Sequence, residues 1–204
     1  MLVLCSNGLS SETLLARTGE QTAGCKTAAL VVTADNEYKE SNYHVPRCVS
    51  ELQELNLHVD VFDLDHQSAS LLLNYDVVEF IGGNPYYLLH SIQEHNAADV
   101  LRKIATDKIL IGWSAAAFAF GPTLELVNRY SSEMNFLGLT DLNGISLTEV
   151  QVLPHYSKYL TRFEQFEEKC CIYEKEHHVN VIRLNDGDGV FIDGDVHICK
   201  TIDN

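Results

Sequence analysis

Basic residues are scarce: the 204-residue chain has 14 lysines and arginines against 29 aspartates and glutamates, a net charge of -15 at pH 7. Such a balance opposes general binding to nucleic acid or to an anionic membrane, both of which demand a positive face. No apolar run is long enough to span a bilayer, and the opening segment MLVLCSNGLSSETLL lacks the basic stretch and long apolar core of a secretion signal. A cytoplasmic protein is the expectation. The six cysteines, Cys5, Cys25, Cys48, Cys170, Cys171 and Cys199, show no C-x-x-C spacing, which leaves reduced, structural thiols. Cys170 and Cys171, followed by Glu174, Glu176, His177 and His178, have the composition of a metal site, but adjacent cysteines rarely converge on one ion, so a solvated helix end is expected. No repeat or low-complexity linker divides the chain, and residues 1–204 read as one domain.

What is present is apolar patterning, with 46% hydrophobic residues, enough to bury a sizeable core. Short apolar runs predict strands at LVLC, TAALVVTA, HVDVFDL, DVVEFIGG and KILIGW, with helices between them such as HVPRCVSELQEL and AADVLRKIATD. Strand and helix in alternation imply an α/β fold with a doubly wound, mostly parallel sheet flanked by helices. Beyond Pro122 the pattern turns irregular, then gives a strand at SLTEVQVL, one helix over YLTRFEQFEEKCCIYE and a β-rich end, VNVIRLNDGDGVFIDGDVHICK. Within that end, Asp193-Gly194 flanked by alternating apolar residues predicts a β-hairpin near the C-terminus. The acidic turn NDGDG is not a calcium loop, because Val190 interrupts the ligand series and no glutamate closes it.

Open α/β sheets bind ligands outside the carboxyl ends of their strands, so the residues just after each strand are the candidates for chemistry. Three ends stand out. FIGGNPYYLL leaves its strand through Gly82, Gly83 and Asn84, IGWSAAAF through Ser114, and VQVLPHYS through His155. A serine on a sharp strand-to-helix turn is exposed for nucleophilic attack, with following N–H groups aimed at a developing oxyanion. A serine there is also an ordinary helix N-cap, and on this stretch alone the cap is favoured. Gly-Gly-Asn-Pro is likewise an ordinary turn, and a histidine after a proline an ordinary loop residue. Their joint placement at strand ends is what points to a site.

In order along the chain, GGNPYYLL resembles a Gly-Gly-Asn-Thr segment, IGWSAAA a Gly-x-Ser-Ala-Gly elbow, LPHY a Pro-His segment and VIRLNDG a late Glu-Gly turn of one family. The chain resembles the peptidase E group of serine peptidases, aspartyl dipeptidases related to cyanophycinase and class I glutamine amidotransferase domains. The resemblance covers nearly all of the chain. It implies that Ser114 is the nucleophile, His155 the base, and the Gly83 and Ala115 N–H groups the oxyanion hole, with Asn84 at the substrate. The family's glutamate matches Asp186, a shorter acid; Asp188 and Glu133 are alternatives for the third role. Two other departures bear on the site. Ala116 replaces the elbow's last glycine, and its methyl is expected to crowd the turn or shift the helix; Pro85 replaces threonine and removes a backbone donor beside the oxyanion loop.

A preference for an N-terminal aspartate requires a cation, and Arg162 matches a family arginine after the histidine, with Lys158 a weaker candidate. The plain alternative is a solvated arginine paired with Glu164 or Glu167. The implied activity is hydrolysis of small peptides, dipeptides beginning with aspartate, through an acyl-enzyme and without metal or organic cofactor. Other readings are a hydrolase of another small amide or β-linked peptide, and a silent amidotransferase-like binding domain. Glutamine amidotransfer is disfavoured, since related domains use cysteine at the elbow and this chain has Ser114.

Overall fold

The first strand lies inside the sheet, where its parallel part meets its antiparallel edge. In the computed structural model, which describes residues 1–201, β1 (Leu2–Cys5) is buried along its whole length and is flanked on one side by β5 (Ile109–Trp113), parallel, and on the other by β8 (Gly189–Asp193), antiparallel. With β2 (Thr27–Val31), β3 (His58–Phe62), β4 (Val77–Phe80) and β9 (Asp195–Cys199) these form a seven-stranded sheet in the order β3-β2-β4-β5-β1-β8-β9. The first five strands are mutually parallel. Their carboxyl ends therefore all open on the same rim, as the alternating pattern predicts.

Period-two alternation divides the buried residues between two faces. Leu2, Leu4, Val31, Val78, Phe80 and Leu110 pack in one cluster with residues of α3 (Pro85–Glu94), α4 (Ala98–Asp107), α5 (Ala115–Ala119) and α6 (Glu125–Ser131). Val3, Cys5, Leu30, Val77, Ile111 and Trp113 pack in the other with α1 (Glu12–Gln21) and α2 (Val45–Glu54). Continuous apolar strands are the consequence of burial on both faces. The hairpin at Asp193-Gly194 forms as predicted, with Asp193 opposite Asp195.

Two segments depart from the sequence reading. SLTEVQVL gives only a short strand, β6 (Gln151–Leu153), because the N–H groups of Ile145, Ser146 and Leu147 are spent on the carbonyls of Ala119, Gly121 and Phe120 at the end of α5. β6 lies outside the main sheet and pairs in parallel with β7 (Val181–Arg183). The helix predicted through YLTRFEQFEEKCCIYE is two, α7 (Tyr156–Arg162) and α8 (Phe166–His177), broken where Gln165 takes a left-handed conformation at φ 54°. The break turns Tyr159, Phe163 and Phe166 together against Tyr130. Aromatic packing overrides the helical pattern there.

Along α8 the residues that resembled a metal site diverge: Glu174 pairs with Arg183, Glu176 with Arg129, and His177 with Glu125. No helix among the described residues is long and apolar enough to cross a membrane.

Candidate active site

Ser114 stands where β5 becomes α5. Its N–H still donates to the Cys5 carbonyl at 3.2 Å, as a continuation of the β5–β1 pairing, but its φ of 52° and ψ of -107° turn the chain abruptly out of the strand. For a residue with a Cβ this conformation costs roughly 1–3 kcal/mol, and such strain is retained where the surrounding structure fixes it. Gly112 permits the bend, since a Cβ there would fall 2.6 Å from the Phe120 ring and 3.1 Å from the Ala116 Cβ. The crowding expected from Ala116 does not arise. Its methyl fills the space that β5 leaves empty at Gly112, and the turn stays sharp.

His155 reaches the serine from the far side of the rim. It follows buried Val152, Leu153 and Pro154, adopts a left-handed conformation at φ 57°, and begins α7. Its Nε2 lies 3.1 Å from the Ser114 Oγ, and its Nδ1 lies 2.5 Å from Asp186 Oδ1. The hydrogen bond from His155 is the main reason the Asp186 carboxyl is held below its ordinary range, with smaller help from Ser6 and Lys158 against burial. An ionised carboxylate can only accept, so Nδ1 is the donor to Asp186, and in a neutral imidazole that leaves Nε2 to accept from the hydroxyl.

Ser6 is the residue that sequence reasoning missed. It is fully buried at the end of β1, donates its hydroxyl to Asp186 at 2.9 Å and accepts the His155 N–H at 2.8 Å. One side chain thus ties acid and imidazole to the end of β1. The strand-end rule applied to LVLCS would have found it.

The other acid candidates lie elsewhere. Asp188, buried, accepts the N–H groups of Asn185 and Thr201 and so closes the turn that carries Asp186. Glu133 is exposed, accepts the Ser131 hydroxyl at 2.5 Å, and is held below the ordinary glutamate range by that bond. Neither of them is hydrogen-bonded to His155.

Gly83 sits beside Ser114 because nothing larger fits: a Cβ would come 2.2 Å from the Ala34 carbonyl oxygen. Among the described residues neither the Gly83 nor the Ala115 N–H is matched to an acceptor, the latter being a first-turn donor with none available in its helix. Asn84, expected at the substrate, instead caps α3: its Oδ1 accepts the N–H groups of Tyr86 and Tyr87, and its Nδ2 donates to the Met134 carbonyl. Its carboxamide is committed to the fold. Pro85 then occupies the first helical position, where the missing N–H would have had no intrahelical partner, so the feared loss of a donor costs the helix nothing.

The family model for peptidase family S51 matches residues 2–199. The chain belongs to peptidase family S51. An uncharacterised peptidase of Listeria monocytogenes is 26% identical over 87% of both chains. A Peptidase E of Shewanella is 28% identical across 55% of this chain, a stretch spanning 47% of that relative. The fold is shared with a Listeria monocytogenes EGD-e protein described as a candidate Peptidase E, at a TM-score of 0.79, 22% identity and 98% coverage of both chains. A peptidase from an acI-B1 Actinobacterium superimposes at a TM-score of 0.62 and 15% identity, over 98% of this chain and 90% of the other.

In this S51 peptidase two cavities meet at Ser114. One, of about 280 Å³, is lined by Gly83, Ala115, Tyr130, Glu133, Tyr159 and Arg162 among others. Arg162 lies against the Tyr159 and Phe163 rings and, among the described residues, forms no ion pair; Glu167, one of its expected partners, is taken by Arg183 at 2.9 Å. The second, of about 240 Å³, is lined by Asn7, His44, Trp113, His155 and Lys158 among others. Lys158 thus lines the second cavity and Arg162, one turn further along α7, the first.

Proposed function

We propose that the chain is a serine-type peptidase that hydrolyses short peptides, dipeptides with an N-terminal aspartate foremost, through Ser114, His155 and Asp186. The observation that carries the reading is the unbroken hydrogen-bonded sequence from Ser114 Oγ through His155 to Asp186, set on a strained strand-to-helix turn. His155 Nε2 takes the hydroxyl proton as Oγ attacks the scissile carbonyl. The oxygen of the tetrahedral intermediate accepts hydrogen bonds from the Gly83 and Ala115 N–H groups. Asp186 holds the resulting imidazolium in place, and His155 then gives the proton to the departing amine. Water, deprotonated by the same imidazole, releases the acyl group.

Arg162 supports the preference for aspartate, since a guanidinium that forms no ion pair among the described residues, in a cavity beside the serine, offers a carboxylate its planar fork. With a net charge of -15, the protein needs a local positive charge to hold an acidic substrate. A cytoplasmic setting suits the six free cysteines. Incubation of Asp-X dipeptides with wild type and with Ser114→Ala tests the proposal: free aspartate is expected from the wild type alone, and equal release by both proteins would overturn it.

A further inference from the structure

The two cavities are not equivalent, because His155 lines only the second of them. In acyl transfer the imidazole that accepts the serine proton must return it to the departing amine, so the leaving group lies on the histidine's side of the nucleophile. That assigns the cavity with Arg162 to the acyl residue and the cavity with Lys158 to the residue released. The released half of a dipeptide is a free amino acid, and besides its new amine it carries a carboxylate.

The second cavity has a partner for that charge. Lys158 lies on the first half of α7, three residues after His155, and among the described residues it forms no ion pair. Other basic groups on that wall are less available. The nearby Arg47 is bound to Glu51 at 2.6 Å and to the Asn7 carbonyl. His44 stands edge-on to Trp113, and burial, followed by the charge of Arg47, lowers its affinity for a proton, which makes it a poorer partner for a carboxylate than Lys158. Asp186 is the only carboxylate among the lining residues, and it is engaged by His155 and Ser6. Asn7 and Asn42 add polar lining without charge, and Tyr43 and Asn42 bound the cavity.

We propose that this cavity is the leaving-residue subsite and that Lys158 pairs with the C-terminal carboxylate of the substrate, so that the enzyme reads a charge at each end of a two-residue peptide. The proposal rests on Ser114 as nucleophile and goes beyond it by making a free carboxylate one residue past the scissile bond a requirement for full activity. A longer peptide, whose second residue continues as an amide, loses that pairing.

The test compares kcat/KM for an Asp-X dipeptide with that for its C-terminal amide, and uses aspartyl p-nitroanilide, which has no carboxylate on the leaving side, as a check on the chemistry. Wild type is expected to prefer the acid over the amide by roughly three- to tenfold, the range for a partly screened ion pair. Lys158→Met should bring that ratio to about one, and Lys158→Arg should keep it above one; a ratio taken within one sample is insensitive to how much of the protein is folded. A wild-type ratio near one, or a ratio that Lys158→Met leaves unchanged while the p-nitroanilide is cleaved, overturns the subsite. Failure of the wild type on all three compounds overturns the serine-peptidase reading and the subsite with it.

Discussion

Glu79 occupies the middle of β4 opposite Ile111 of β5, with no exposed surface, and among the described residues neither of its carboxyl oxygens has a hydrogen-bond partner. Burial, and then the charge of Glu51, pushes its carboxyl from 4.5 up to about 8, with partial relief from Arg47 and from the nearby Trp113 indole. The folded chain therefore keeps this proton in a range where the unfolded chain has lost it, and stability falls wherever the native state binds more protons. The contribution of the neutral acid is complete below pH 4.5 and is lost as the pH rises to about 8. At about 1.4 kcal/mol per pH unit the loss across that window is roughly 4–5 kcal/mol, a large share of the roughly 5–15 kcal/mol typical of a domain. Glu79→Gln keeps the shape and removes the titration. Urea unfolding of both proteins at intervals between pH 4.5 and 8.5 should show the wild type losing roughly 4–5 kcal/mol relative to the variant. The buried thiols Cys5 and Cys48 are pushed above their ordinary value of 9.0 and so act only at higher pH. Parallel stability curves for wild type and Glu79→Gln would refute the reasoning, since the variant differs only in the group held responsible.

Arg162→Met should lower kcat/KM for Asp-X by roughly tenfold, with little effect on Asn-X; the exposed guanidinium and the nearby Glu133 keep the value at the low end for a charge-assisted pair. Equal losses on both substrates would remove Arg162 from recognition. Asp186→Asn should reduce turnover by roughly 10²–10⁴-fold by releasing the imidazole to the wrong tautomer. Glu133→Gln should change it by less than about threefold, since Glu133 is hydrogen-bonded to Ser131 and not to His155. The reverse ranking would give the third role to Glu133.

The parallel core was legible because burial on both faces leaves a direct trace, a run of consecutive apolar residues, as in LVLC and KILIGW. The rim was legible for a related reason: a ligand site at strand ends concentrates its residues just after those runs, and Ser114, His155 and Gly83 do meet there. What stayed hidden depends on contacts between distant segments. The break at Gln165 follows from packing against Tyr130, thirty-odd residues upstream, and nothing in the local pattern marks it. Asn84 was misjudged because a cap and a ligand contact use the same side chain, and only the neighbouring N–H groups of Tyr86 and Tyr87 decide between them. The effect of Ala116 turned on Gly112, four residues earlier on the strand beneath it. Ser6 and Asp186 lie 180 residues apart in sequence, and their hydrogen bond exists only because β1 lies beside β8 in the sheet.

The central claim is that the Ser114 hydroxyl is the nucleophile, and covalent capture tests it most directly. A fluorophosphonate reacts when an activated serine oxygen attacks phosphorus and expels fluoride, so labelling requires the nucleophile and its base together. Intact-mass measurement followed by peptide mapping should find one adduct, on Ser114, in the wild type, strongly slowed in His155→Ala and missing from Ser114→Ala. An adduct on any other residue, or a wild type that stays unlabelled while it cleaves Asp-X, would contradict the account.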